Sequence, residues 1–333
     1  TTRRFPPARS RRLLQPLMPS CTPDECHVRH HISVELTRLC LNTLDSGCII
    51  ANGLNKFDHK IIPRGHQDSM TEQTILVERD GPVATIVLNR PDKMNAISLE
   101  MWKEISAQID ELQRDESVRV VVFRGEGGRA FSAGADIGDF EKSRHDSRSA
   151  IGYAEVFEGA LEKIASLTVP TISMIEGVCV GGGLELATCT DIRIAAKGSR
   201  FGVPVARIGV VAGFKEMRRL AAIAGPANAA YVVLSGEILS HDAALAMGLL
   251  TRVVEKEELA DDVYGLATHM ASLSPVSHAA HKEILETLLA NPSLAGVDVD
   301  APNGPQFRSF DSEDFRIGTD AFVNKTKPEF TGR

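Results

Sequence analysis

The chain has little of what marks the more extreme classes of protein. One Trp and three Tyr in 333 residues leave few flat rings for bases to stack on, and a net charge of -7 supplies no basic stripe for a phosphate backbone, so no nucleic-acid partner is expected. Gly at 27 and Pro at 16 are too few for a collagen-like or low-complexity chain. Every apolar stretch is broken by Pro, Gly or a charge before it reaches membrane-spanning length, and no membrane partner is expected. Cysteine is scarce where it would matter: four of six (Cys21, Cys26, Cys40, Cys48) fall early, leaving only Cys179 and Cys189 for the rest. That is too few for a disulfide framework and reads as an intracellular, cytoplasmic protein. What is present is 43% hydrophobic residues on a chain long enough to bury a large core.

Residues 1–69 differ in kind from the remainder of the chain. They carry ten Lys and Arg against six Asp and Glu, whereas residues 70–333 carry 27 against 38. Arg3, Arg4, Arg9, Arg11 and Arg12 open the chain as in an organelle transit peptide, but Pro6, Pro7, Pro16 and Pro19 break the amphipathic helix such a peptide needs. The expectation is a disordered or dispensable extension. Cys21, Cys26, His27, His30 and His31 match no common zinc spacing, and no metal site is expected. Met70 reads as the natural start of the folded part.

From Thr74 the pattern becomes regular. The β-branched runs Thr74–Glu78 and Val83–Leu88 flank Arg79-Asp80-Gly81-Pro82, a hairpin signal. Ser98 is placed to cap a helix whose Leu99, Trp102, Ile105, Ile109 and Leu112 form one apolar stripe. Strands are expected at Val118–Phe123, Thr171–Ile175 and Ile192–Ala195, with a helix around Tyr153–Ser166. This ββα alternation argues for an α/β layered fold: a core over 70–262, then a helical portion over 263–333 suited to subunit contact.

Two glycine-rich loops come directly after strands. Gly125-Glu126-Gly127-Gly128-Arg129-Ala130 formally meets a dinucleotide pattern, but no helix former comes next to hold a pyrophosphate and Glu126 would repel it, so that reading is set aside. Gly181-Gly182-Gly183 runs into Leu184-Glu185-Leu186-Ala187, a good helix with an acidic first turn. Bare amides at such a start suit an oxyanion; tight helix–strand packing explains the glycines equally well.

Leu88-Asn89-Arg90-Pro91-Asp92-Lys93-Met94-Asn95-Ala96, Ala130-Phe131-Ser132-Ala133-Gly134-Ala135-Asp136-Ile137, Gly181-Gly182-Gly183-Leu184-Glu185 and Cys189-Thr190-Asp191-Ile192-Arg193 with Phe201-Gly202 together resemble the enoyl-CoA hydratase/isomerase family, the crotonases, from about Met70 to the end. The resemblance implies a spiral of ββα turns, assembled as a homotrimer or a homohexamer, that binds an acyl-CoA thioester and needs no metal or redox cofactor. It implies that the amides of Ala135 and Gly182 hold the thioester oxygen and that Glu185 moves the proton of an attacking water. It places Ala135, Asp136, Ile137 and Gly138 beside the thioester arm, Lys93, Met94, Asn95 and Ala96 near the coenzyme A nucleotide, and Phe322 and Lys325 at the adenine or phosphate from a neighbouring subunit. Gly181 and Val205 also border the substrate. Hydration of a 2-enoyl-CoA is the leading reaction, with isomerisation or thioester hydrolysis behind it.

The chain departs from the hydratase pattern at the position directly after Phe-Gly-x-Pro, where a second Glu is usual, because Val205 stands there and valine transfers no proton. Arg207, Lys215 and Glu216 are the nearby substitutes, although a solvated helix start, with Glu216 in its first turn and Arg218 and Arg219 outside, accounts for them too. Gly138 stands where relatives carry a lysine. Asp136, Asp139 and Glu141 lack a Ca²⁺-loop spacing and read as solvent-facing loop acids. Two rivals differ in class. One is a serine hydrolase with Ser132 at an incomplete nucleophile elbow, lacking a compelling partner among His145, His241, His269, His278 and His281. The other is a catalytically silent acyl-CoA-binding subunit, the reading that Val205 invites.

Overall fold

The structure, a computed structural model, describes residues 73–333. The first 69 residues, their cysteine and histidine cluster and the expected start at Met70 lie outside that range. The β-branched runs form β1 (Ile75–Asp80) and β2 (Val83–Leu88), paired antiparallel with Asp80 opposite Val83. Helix α1 (Leu99–Arg114) begins where Ser98 accepts from the Met101 amide, and it buries Trp102, Ile105, Ile109 and Leu112 as the spacing requires. Met101 joins that stripe, while Leu99 is only partly covered.

The chain then repeats one step. Strand β3 (Val120–Gly125) hands the chain to the short β4 (Ala130–Ser132) and then to α2 (Ser147–Ser166). Strand β5 (Thr171–Ile175) passes to β6 (Val178–Val180) and α3 (Gly182–Thr188). Strand β7 (Ile192–Ala196) passes to β8 (Arg200–Gly202), a tight turn at Pro204–Ile208 and α4 (Phe214–Ala224). After α5 (Pro226–Ser235), β9 (Leu239–Ser240), α6 (His241–Ala246) and β10 (Arg252–Val254) complete two sheets, in the orders β1-β2-β3-β5-β7-β10 and β4-β6-β8-β9. Each step adds one rung to both sheets, which is the expected spiral of ββα turns.

The larger sheet is buried on both faces, and its strands divide their side chains accordingly. Val121 and Phe123 of β3 enter the main core with Ile105 and Ile164, whereas Val120 and Val122 enter a second core with Val263 and Ala267. The last two belong to α7 (Leu259–Ala271), so the boundary expected between 262 and 263 falls inside a helix that packs on the sheet. The helical C-terminal portion begins instead with α8 (Pro275–Ala290) and ends with α9 (Glu313–Asn324). Among the described residues, no helix is long and apolar enough to cross a membrane.

Candidate active site

Because β4 and β6 are hydrogen-bonded neighbours, the loops that leave them are neighbours as well. The loop after β4 is fixed by α1's approach: the Ile97 amide donates to the Gly134 carbonyl at 2.7 Å and the Asp136 amide to the Ile97 carbonyl at 3.0 Å, so Ala135 forms a one-residue bridge with Ile97. Gly134 adopts φ +93°, a region that favours glycine, and a methyl group there would stand 3.5 Å from the Gly182 nitrogen. From the other side, a methyl on Gly182 would stand 3.8 Å from the Ala135 nitrogen. Neither amide has an acceptor among the described residues. Two bare N–H groups from separate loops therefore lie near each other, with Trp102 beside Gly182, its Cζ2 3.4 Å from where that same methyl would stand.

The close-packing reading of the glycine loop applies at Gly183. A methyl on Gly183 would come 2.7 Å from the Ser132 Cβ and 2.8 Å from its carbonyl oxygen, so Gly183 lets α3 lie against β4. Gly182, one residue earlier, keeps its amide without an acceptor among the described residues.

Glu185 sits in the first turn of α3, its amide donating to the Gly181 carbonyl at 2.9 Å. Its surface is partly open, yet the surrounding protein is dense enough that burial, aided by the nearby Glu216, pushes its carboxyl up to about 8. Arg144 opposes that shift. The Arg144 guanidinium stacks 3.6 Å from the Tyr153 ring centroid and 3.9 Å from that of Phe140, while its Nε and Nη2 are buried without a hydrogen-bond partner among the described residues. Burial pushes its own pKa down.

Glu216 departs furthest from expectation. It is 5% exposed, and neither carboxylate oxygen has a hydrogen-bond partner among the described residues. The solvated start read for this helix fits Lys215, which pairs with Glu158 at 3.0 Å and Glu162 at 2.8 Å, but not Glu216. Arg219 is not outside either: it forks onto Glu286 at 2.9 and 3.1 Å with its side chain largely covered. Glu185 and Glu216 line one small cavity with Leu184, Val203, Met217 and Leu220. Val205 packs against the main core on the Pro204–Ile208 turn instead.

Other expected site residues divide. Asn95 is fully buried at φ 54°, its Nδ2 donating to the Ala130 carbonyl at 2.7 Å and the Glu126 carbonyl at 2.9 Å, while its Oδ1 accepts from the Arg90 amide; its side chain is engaged within the chain rather than offered to a nucleotide. Lys93, Met94 and Ala96 share that loop, with Lys93 exposed and 3.8 Å from Asp136. Asp136 is not a solvent-facing acid: Arg90 binds it at 2.9 Å and the Gly138 amide donates to it at 3.0 Å. Asp139 accepts from the Leu99 amide at the start of α1. Ile137 and Gly138 lie exposed beside Ala135 on the same loop. Phe322 and Lys325 are not brought to this group; Phe322 lines a separate cleft of about 520 Å³ between α8 and α9.

Ser132 is fully buried, and its hydroxyl accepts from the Gly134 amide at 3.1 Å, with no histidine bonded to it among the described residues. The elbow is a turn in the second sheet. Among the described residues, no three His, Cys, Asp or Glu side chains gather in a group able to hold a metal. Sequence reasoning misses Arg144 and the burial of Glu216. Neither sits in a recognisable motif, and the one available signal is an acid beside Gly213 where the family pattern has glycines.

The model of the enoyl-CoA hydratase/isomerase family matches residues 78–333. A short-chain-enoyl-CoA hydratase of Clostridium acetobutylicum is 29% identical over 78% of this chain and 98% of its own. A 1,2-epoxyphenylacetyl-CoA isomerase of Escherichia coli is 29% identical over 78% of this chain and 98% of its own. The crystal structure of an enoyl-CoA hydratase/carnithine racemase from Magnetospirillum magneticum superposes with a TM-score of 0.75 at 38% identity, covering 79% of this chain and 97% of that one. The chain belongs to the enoyl-CoA hydratase/isomerase family.

Proposed function

We propose that this chain hydrates a 2-enoyl-CoA thioester, on the strength of one observation above the rest: the unaccepted amides of Ala135 and Gly182 lie side by side on adjoining loops. A thioester oxygen received between them polarises the conjugated double bond and makes the β-carbon electrophilic. As water attacks, negative charge moves onto that oxygen, and each well-placed donor contributes roughly 3 kcal/mol to stabilising it. Glu185, one helical turn beyond Gly182, is the group that takes the water's proton, and its raised pKa brings it near the operating range of a general base.

Coenzyme A enters as part of the substrate, and the reading requires no metal or redox cofactor. Lys93 and the backbone of Met94 and Ala96 are proposed to meet its nucleotide, with Ala135 to Gly138 along the thioester arm. Assembly as a homotrimer or homohexamer in the cytoplasm completes the proposal. It is supported by exposed apolar side chains at Val211, Phe214, Phe322 and Val323, which call for a covering surface, and by the buried free thiols Cys179 and Cys189.

Incubation with a panel of 2-enoyl-CoA thioesters and subsequent mass spectrometry tests the reading. Hydration adds the mass of one water to an intact thioester. Release of free coenzyme A, or an unchanged mass with every member, sinks it; an unchanged mass with a moved double bond by NMR indicates isomerisation through the same enolate.

A further inference from the structure

Glu216 is a buried carboxyl without a hydrogen-bond partner among the described residues, an arrangement that costs a fold several kcal/mol and survives where the group has work to perform. Three further observations say what that work is. First, Glu216 and Glu185 line the same cavity, which measures about 10 Å³, the scale of a single water, together with Thr188 and apolar side chains such as Leu184, Val203 and Leu220. Second, the chain makes room for this carboxyl: a methyl on Gly213 would fall 2.5 Å from Glu216 Oε2. Third, Val205, on the turn directly after β8, packs against the core and carries no group able to move a proton, which leaves Glu216 as the second carboxyl on this cavity.

We propose that Glu216, projecting from the start of α4, is the second acid–base group of the site and exchanges the proton at the substrate's α-carbon. This rests on the hydration reading above. Protons and electron pairs balance in the step. The Glu185 carboxylate takes one proton from water while the water oxygen bonds to the β-carbon, and the π pair moves to the α-carbon and thioester oxygen. The Glu216 carboxylic acid then gives its proton to the α-carbon, and a proton passing from Glu185 to Glu216 through water restores the start.

The step needs one carboxyl ionised and one protonated. The charged groups facing Glu216 from each neighbouring element favour that state. Glu185 on α3 and Glu158 on α2 disfavour a second negative charge, whereas Lys215 and the amides of Gly213 and Glu216 at the start of α4, which lie close to the carboxyl without bonding it in good geometry, offset the penalty only in part. Burial is the largest cause of the upward shift at Glu216.

Exchange of the α-hydrogens of butyryl-CoA in D2O, monitored by proton NMR, reads this role alone, because a saturated thioester adds no water. Glu216→Gln is expected to slow exchange about 100-fold or more, with binding of butyryl-CoA held within about threefold. Exchange at the parent rate overturns the assignment, even if the pH profile of hydration moves, since Glu216 then only tunes Glu185. Should Glu216→Gln not fold, Glu216→Asp takes its place: a loss of about tenfold or more is expected and an unchanged rate overturns the proposal. The two readings fail separately. A parent that exchanges α-hydrogens but hydrates no enoyl-CoA sinks hydration and leaves Glu216 standing, while a parent that hydrates with exchange untouched in Glu216→Gln does the reverse.

Discussion

The indole Nε1 of Trp102 donates to the Tyr153 hydroxyl at 3.0 Å, a buried bond between α1 and α2 next to Gly182. Phe157 closes the arrangement edge-on to the indole, with ring centroids 5.0 Å apart. Removing the acceptor leaves a buried indole N–H unpaired. Tyr153→Phe is therefore expected to lower stability by about 1–2 kcal/mol, measured as a fall in the urea midpoint at unchanged slope. A midpoint equal to the parent's would mean that water replaces the hydroxyl.

With Glu185 as the proposed base, activity and stability are linked in opposite directions. Its carboxyl titrates at about 8 in the fold against 4.5 as an ordinary side chain, so the folded state holds the proton more tightly. The stability this contributes is complete below pH 4.5, falls as pH rises toward 8 and is lost above it. Glu185→Gln does not titrate. The variant is expected to match the parent near pH 4.5 and to exceed it at pH 8 by about 1–3 kcal/mol, while turnover drops about 10²–10⁴-fold with thioester binding retained. Denaturant titrations at the two pH values, beside steady-state kinetics, check both halves; a constant offset between the proteins contradicts the shift.

Gly183→Ala sets a methyl against Ser132 at 2.7 Å, with backbone on the far side and nowhere for α3 to retreat except away from β4. The expected loss is about 1–3 kcal/mol, with a larger fall in activity because any retreat separates Gly182 from Ala135. A thermal melt and a rate assay suffice, and an unperturbed Tm shows that helix and strand slide freely.

Asn95→Ala removes both donors that hold the Ala130 and Glu126 carbonyls and leaves an alanine at φ 54°. A loss of about 2–4 kcal/mol is expected. Asn95→Gly, which relieves the backbone but restores no donor, should recover only part of it in the same denaturant assay.

Much of this fold is legible in the sequence where a local rule acts alone. Thr171–Ile175 is a strand as read, because β-branched residues between a proline and a turn leave little choice. Ser98 caps α1 as its chemistry demands. Helix α2 starts earlier than its apolar stripe, since Asp146 and Ser149 form a reciprocal cap on a polar first turn. Strands β6 and β8 are three residues long and carry no period of their own; only pairing with β4 and β9 makes them strands. Glu216 is misread because its neighbours Lys215, Arg218 and Arg219 suggest a charged outer face, and two of them, Lys215 and Arg219, do form ion pairs, with α2 and α8 respectively. Its burial is decided by α2 and α3, elements remote in the chain, and no pattern within α4 records that.

The bridge between Ile97 and Ala135 anchors the peptide group that carries the Ala135 amide, through its Gly134 carbonyl, and the following one, through the Asp136 amide, while leaving the Ala135 N–H without an acceptor among the described residues. Its dipole is consequently set when the chain folds and, in the proposed reaction, has nothing to release before the thioester oxygen arrives. Solvent has to be rearranged around a charge that appears in water; in the proposed hydration the arrangement would predate the charge.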